Sequence, residues 1–183
     1  MRKYLKIGVG LIRLLKEEIL NGFCIKIQGI SYCINSGVKF WIHDKGSCVL
    51  GKKNWFSENC IIECSGEILK IGHNNFFNSN CRITAVESIE IGDNNLFGPN
   101  VIIVDHDHRF DNSDVLICKQ GLKSNSVKIK SDVWVGGNVT ICAGAEISNH
   151  IVIAANSVVK GKLIEPGVYV GSPAKLVKKG EQK

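Results

Sequence analysis

The feature that most constrains this chain is a period of six. Ile129, Val135, Ile141, Ile147, Ile153 and Val159 recur every six residues, and four of the residues that follow them (Gly136, Cys142, Ser148 and Ala154) are small. Val133, Val139, Ala145 and Ile151 hold a second apolar position four residues after the first. Neither the 3.6-residue period of a helix nor simple alternation keeps such a register. The first half carries a looser version. Leu50-Gly51, Ile71-Gly72 and Ile91-Gly92 each open a unit with Asn three positions after the Gly (Asn54, Asn75, Asn95). Phe follows six after the aliphatic residue (Phe56, Phe77, Phe97), and a further Asn comes three later (Asn59, Asn80, Asn100).

A unit with one inward aliphatic residue, one small neighbour and polar turn residues suits a short strand and a corner. Three units close a triangular coil of about 18 residues, stacked at roughly 4.8 Å on its neighbours. Asn tolerates the left-handed dihedrals that sharp corners need. The expected fold is therefore all-β, a parallel β-helix whose stacked coils bury a column that no single coil could bury.

Two regions escape the period. Residues 1–20 contain a plausible amphipathic helix from Leu11 to Leu20, suited to cap the open first coil or to rest on an anionic membrane surface. Residues 105–126 interrupt the repeat and carry most of the unusual polar side chains, and a loop thrown out of a rigid scaffold is where function concentrates. The expected organisation is a cap or tail over 1–20, the β-helix over 21–178 and a short tail over 179–183.

The chain has 183 residues and a net charge of +6, with basic residues grouped at both ends. The middle is close to neutral and lacks aromatic-interleaved basic motifs, which disfavours nucleic acid. No cleavable leader and no apolar run of about 20 residues is apparent. The eight cysteines include no C-x-x-C pair and read as free, mostly buried thiols of a reducing cytoplasm.

Several stretches resemble the hexapeptide-repeat acyltransferases. They are Ile91-Gly92-Asp93-Asn94, Gly98-Pro99-Asn100-Val101, Asp107-His108-Arg109-Phe110, the run from Asp132 to Val139, and the ending Gly167-Val168-Tyr169-Val170-Gly171-Ser172-Pro173-Ala174-Lys175. The likeness covers roughly residues 48–178 and is nearest to maltose, galactoside, xenobiotic and capsule-polysaccharide O-acetyltransferases. It implies a left-handed coil, a homotrimer with sites at subunit boundaries, and acetyl-CoA as co-substrate with no metal. The left hand comes from the resemblance alone, because generic crossover rules favour right-handed connections in about 98% of cases.

Acyl transfer to a hydroxyl needs a base, and an imidazole can take the proton during attack and return it to the departing thiolate. His108 lies nine positions beyond Pro99, where the related enzymes place their catalytic histidine. His106 is its rival, and the two share a face if the Val101–Val104 strand runs on in extended form. One of Asp105, Asp107, Asp111 and Asp114, or a backbone carbonyl, would hold the imidazole tautomer. Asp105 and Asp107 are also substrate-side candidates, and Asn78 falls where related enzymes carry a substrate-binding Asn. For the pantetheine arm of acetyl-CoA, Gly136, Gly137, Ala154 and Ala155 supply small residues at a coil edge, and an N–H near Gly137 would be the oxyanion donor. Trp134 matches a tryptophan of the family's site, and Lys160, Lys175, Lys178 and Lys179 are the cations for the phosphates. The family's Thr-Lys pair is Val159-Lys160 here, a departure at that cap.

The expected acceptor is a sugar hydroxyl on a polysaccharide or its precursor, with a xenobiotic such as an antibiotic as the alternative. A β-helix carbonic anhydrase is the rival of another class. It needs three histidines around zinc, and His43, His73 and His150 offer no evident third ligand to His106 and His108. A non-catalytic scaffold is the other rival, and the His-containing loop argues against it. The basic amino terminus suits peripheral association with the inner face of a membrane.

Overall fold

Each six-residue unit becomes a short strand and a corner, and three units make one turn of a left-handed parallel β-helix. The computed structural model describes residues 2–22, 24–29, 32–43 and 45–180, with side chains from residue 8 onward. The first face stacks Ile25–Ile27, Cys48–Leu50, Ile68–Ile71, Ser88–Ile91, Val127–Ile129, Glu146–Ile147 and Lys162–Leu163. The second stacks Cys33–Ile34, Trp55–Phe56, Phe76–Phe77, Leu96–Phe97, Trp134–Val135, Ile151–Ile153 and Gly167–Gly171, closed by the antiparallel strand Ala174–Lys179. The third stacks Lys39–Ile42, Ile61–Cys64, Arg82–Ala85, Ile102–Val104, Thr140–Ile141 and Val158–Val159.

The six periodic aliphatic residues from Ile129 to Val159 are all buried, one per face in turn. In the lower coils the repeated phenylalanines stack directly. Phe56 and Phe77 lie 4.7 Å apart at 1°, and Phe77 and Phe97 lie 4.6 Å apart at 2°. These separations match the spacing between strands, so the rings follow the backbone ladder. Phe40 meets Phe56 edge-on at 5.8 Å.

Two corners turn through left-handed residues other than glycine. Between the first and second faces these are Lys53, Asn74, Asn94, Asp132 and His150; between the second and third they are Asn59, Asn80, Asn100, Asn138 and Asn156, all with φ of 57–63°. Asparagine meets the dihedral and also bonds to its own kind above. The amides of Asn80, Asn100 and Asn138 donate to Asn100, Asn138 and Asn156 at 3.2, 2.9 and 3.1 Å. A second, buried series supports the first corner from inside. Asn54 Oδ1 accepts the Asn75 N–H, Asn75 Oδ1 accepts the Asn95 N–H, and Asn95 Oδ1 accepts the Val133 N–H.

The helix Arg2–Leu20 lies across the open end of the first coil. Its inner face supplies what the missing coil below would have supplied. Arg13 donates to Ile34 O at 3.0 Å, Glu17 accepts Phe40 N–H at 2.9 Å, and Asn21, just past the helix, accepts Ile42 N–H at 2.7 Å. Leu14 is fully buried in the core. Gly10 permits the close approach, because a Cβ there would sit 2.7 Å from Ile34 N.

Phe77 holds the centre of the ring stack. Phe77→Ala should cost about 3–5 kcal/mol of stability. Ile164→Ala, at a half-exposed position (56%), should cost under about 0.5 kcal/mol. Denaturant unfolding at matched protein concentration checks both.

Candidate functional site

The ladder of the first face records one large insertion. Ile89 pairs with Val127, 38 positions on, whereas Lys128 pairs with Glu146, 18 positions on. The extra residues leave the solenoid at the third corner, between Ile102–Val104 and Val127–Ile129. They form a two-stranded arm in which His106–His108 runs antiparallel to Leu122–Ser124. The third-face strand does not continue through the histidines, so the condition under which the sequence put both on one face is met by another element. The strand ends at Val104, Asp105 turns inward, and a separate ribbon begins. The two-residue spacing within that ribbon still puts both imidazoles on one of its faces.

Buried polar groups fasten the root of the arm. Asp105 is fully buried, and its carboxylate accepts the N–H groups of Val86 and Glu87 at 2.8 Å each. The same carboxylate lies 3.2 Å from His106 Nδ1, so the buried anion fixes the ring of His106. On the returning leg, Asn125 N–H donates to Asp105 O at 2.7 Å. Ser88 donates to Ser126, and Ser126 to Glu87, at 2.8 and 2.7 Å. Hydrogen bonds from Ser126 and then Ser124 hold the Glu87 carboxyl below its usual range. Towards the tip, Arg109 N–H and Nε donate to Gly121 O and Leu122 O, and Gln120 braces Asn112 and Val115. The tip exposes Phe110, Leu116, Ile117 and Leu122.

His108 is exposed, opposite Leu122 in the ribbon. Asp107 alternates to the other side of the ribbon. Burial raises the Cys142 thiol on the next coil, Lys160 lowers it, and Asp107 adds a smaller rise. Cys142 and Lys160 thus share the third corner with the root of the arm. Cys142 and the Ser124–Ser126 brace were not singled out in the sequence; two serines flanking Asn125 where the repeat resumes were their only signal. Asp111 and Asp114 sit exposed in the outer arm, away from Asp105.

The other predicted residues lie elsewhere. Asn78, Gly98, Gly136 and Ala154 form one vertical column at the second corner, each N–H donating to the strand above. Asn78 Oδ1 accepts the Ser79 N–H at 2.8 Å. Coil stacking alone requires Gly136, since a Cβ there would lie 2.5 Å from Ala155 N. Gly137 and Ala155 follow at the same corner. Trp134, 57% exposed, lies on the second face in a row that continues through Val152 and Val168 to Lys178. Lys175 is on the same closing strand, opposite Val170, and Lys179 pairs with Glu165 at 2.7 Å. A triangular coil sets the second face opposite the third corner, so a single copy does not bring His108 and Trp134 together.

His150 Nδ1 lies 2.6 Å from Asp132 Oδ2, and His73 Nδ1 accepts the Lys52 N–H at 2.9 Å. Among the described residues no group of three or more His, Cys, Asp and Glu side chains could hold a metal ion.

No family model matches the chain. It is 39% identical over 109 residues to a putative lipopolysaccharide biosynthesis O-acetyl transferase, WbbJ, of Escherichia coli, covering 56% of each chain. The chain spans about half the length of the curated relatives it matches first. Its fold superposes on AntD, an N-acyltransferase from Bacillus cereus solved with dTDP and coenzyme A, with a TM-score of 0.73 at 19% identity over 92% of this chain and 89% of that one. A maltose O-acetyltransferase from Clostridium difficile superposes with a TM-score of 0.61 at 28% identity over 92% and 76%. With the six-residue repeat and the solenoid it builds, the chain is similar in sequence and in fold to the hexapeptide-repeat acyltransferases.

Proposed function

We propose that this chain transfers an acetyl group from acetyl-CoA to a hydroxyl of a saccharide, either a polysaccharide or its precursor, with His108 as the general base. The observation that carries the reading is the arm: the one large break in a rigid scaffold presents two imidazoles on a root of buried hydrogen bonds. His108 takes the proton of the acceptor hydroxyl as its oxygen bonds to the acetyl carbonyl carbon. The carbon–sulfur bond breaks, and the same proton goes to the departing thiolate. A base so placed contributes about 10²–10⁴-fold. His106 is the positioning group, since its Nδ1 is already engaged by Asp105. Asp107 and Asn78 are the acceptor-side groups, and Asp105 acts on that side through the fold of the arm root.

The donor side is proposed at Trp134, Gly136, Gly137, Ala154 and Ala155, with Lys160, Lys175 and Lys178 toward the phosphates. Except for Lys160, which shares the third corner with the arm, these groups lie on other sides of one copy than His108, which supports a homotrimer with sites at its boundaries. Surface character agrees. The second face carries an outward apolar row through Phe76, Leu96, Trp134 and Val152, of which Leu96 and Trp134 are exposed. The first face instead alternates charge, with Lys70 on Glu90 at 3.6 Å and Lys162 on Glu146 at 3.0 Å, and suits water. The apolar residues of the arm tip fit the second face of a neighbouring copy. Free thiols and the acetyl-CoA donor suit the cytoplasm.

The test is an acceptor screen with acetyl-CoA, reading free thiol, over sugars, oligosaccharides, nucleotide sugars and antibiotics with free hydroxyls. Thiol release dependent on a saccharide is expected. Release with only an antibiotic would move the acceptor to the xenobiotic class, and release with none would reject the reading. On the accepted substrate, His108→Ala should lower turnover by at least about 10²-fold with the oligomer intact, and His106→Ala by less. The reverse order would transfer the base role to His106.

A further inference from the structure

The charge of this protein sits at one end. Residues 1–47, the helix and first coil, hold eight Lys and Arg against three Asp and Glu, and the remaining residues hold fifteen against fourteen. Of the net +6, that end therefore carries +5. Among the described side chains, Lys16, Lys26, Lys39 and Lys45 are exposed at this end of the prism.

The same end is also apolar on its outer side. The inner face of the helix is used up by Gly10, Arg13, Leu14 and Glu17. At 100° per residue, Ile12, Leu15 and Ile19 fall on the opposite side. They are exposed at 68%, 46% and 64%, and Val9 and Leu20 extend the patch. A solenoid cap kept in water needs a polar outer face, and this one has an apolar ridge instead. Among the described residues no helix is long and apolar enough to cross a membrane.

We propose that the outer face of this helix lies in the surface of an anionic lipid bilayer, with the β-helix standing end-on above it. An apolar ridge ringed by lysines is the pattern that inserts among acyl chains while its cations meet anionic headgroups. Charge selects this occupant over a second copy of the chain, because two copies meeting at this end would bring +5 against +5. The proposal goes beyond acyl transfer and holds for any acceptor.

Co-sedimentation of the full chain with vesicles tests it, using phosphatidylcholine alone and phosphatidylcholine mixed with phosphatidylglycerol. Binding to the mixed vesicles is expected to be at least about tenfold stronger and to weaken as salt is raised. Ile12→Ser with Ile19→Ser should lower binding at least about tenfold with the circular dichroism spectrum and melting unchanged. Lys16→Glu with Lys26→Glu should remove the preference for the anionic lipid while the ridge remains. Absence of binding, equal binding to both vesicles, or full binding by the isoleucine variant would overturn the proposal. So would a change of oligomer size in that variant, which would make the ridge a contact between copies.

Discussion

Every coil of this protein rests on the next through parallel backbone hydrogen bonds at a spacing near 4.8 Å, and that spacing governs the rest of the structure. A side chain at a given corner or face meets its own counterpart one step up. Residues that tolerate self-stacking are therefore selected at each column. Phenylalanine rings lie face to face, and asparagine amides donate to asparagine oxygens. Lysine does not tolerate a lysine directly above it, so the first face alternates Lys70, Glu90, Lys128, Glu146 and Lys162.

The same constraint explains what the sequence revealed and what it concealed. The buried column was legible because inward positions recur at fixed intervals, and every aliphatic residue from Ile129 to Val159 in that series is in the core. The Asn of the second corner was legible through its dihedral preference, and the start of the arm through the loss of period. Asp105 was not legible as a buried anchor. Its role depends on two N–H groups, of Val86 and Glu87, that face it from the coil below. Cys142 was missed for a similar reason, since the burial that raises its thiol and the Lys160 charge that lowers it come from other parts of the stacked coils. The helix was read as a cap or a membrane element from its amphipathic pattern, and its bonds to Ile34 and Phe40 are tertiary.

A scaffold locked at this spacing is a poor place for moving parts, and the chemistry proposed for this chain is therefore placed where the ladder is interrupted. The insertion at the third corner is the large interruption, and its root is held by a buried carboxylate and not by apolar packing. The glycines at the second corner, by contrast, answer to coil stacking before any ligand. Gly136 would be required there in an inert solenoid. Small residues at a coil edge are thus weak evidence for a donor site by themselves, and the histidines of the arm carry more weight.

The most direct test of this division is to exchange the arm for a short corner like the one formed by Val86 and Glu87 in the coil below, and to measure acetyl transfer from acetyl-CoA beside the circular dichroism spectrum. The account predicts a β-helix with an unchanged spectrum and transfer reduced to background. A folded, armless protein that still transfers acetyl groups at the rate of the full chain would contradict it.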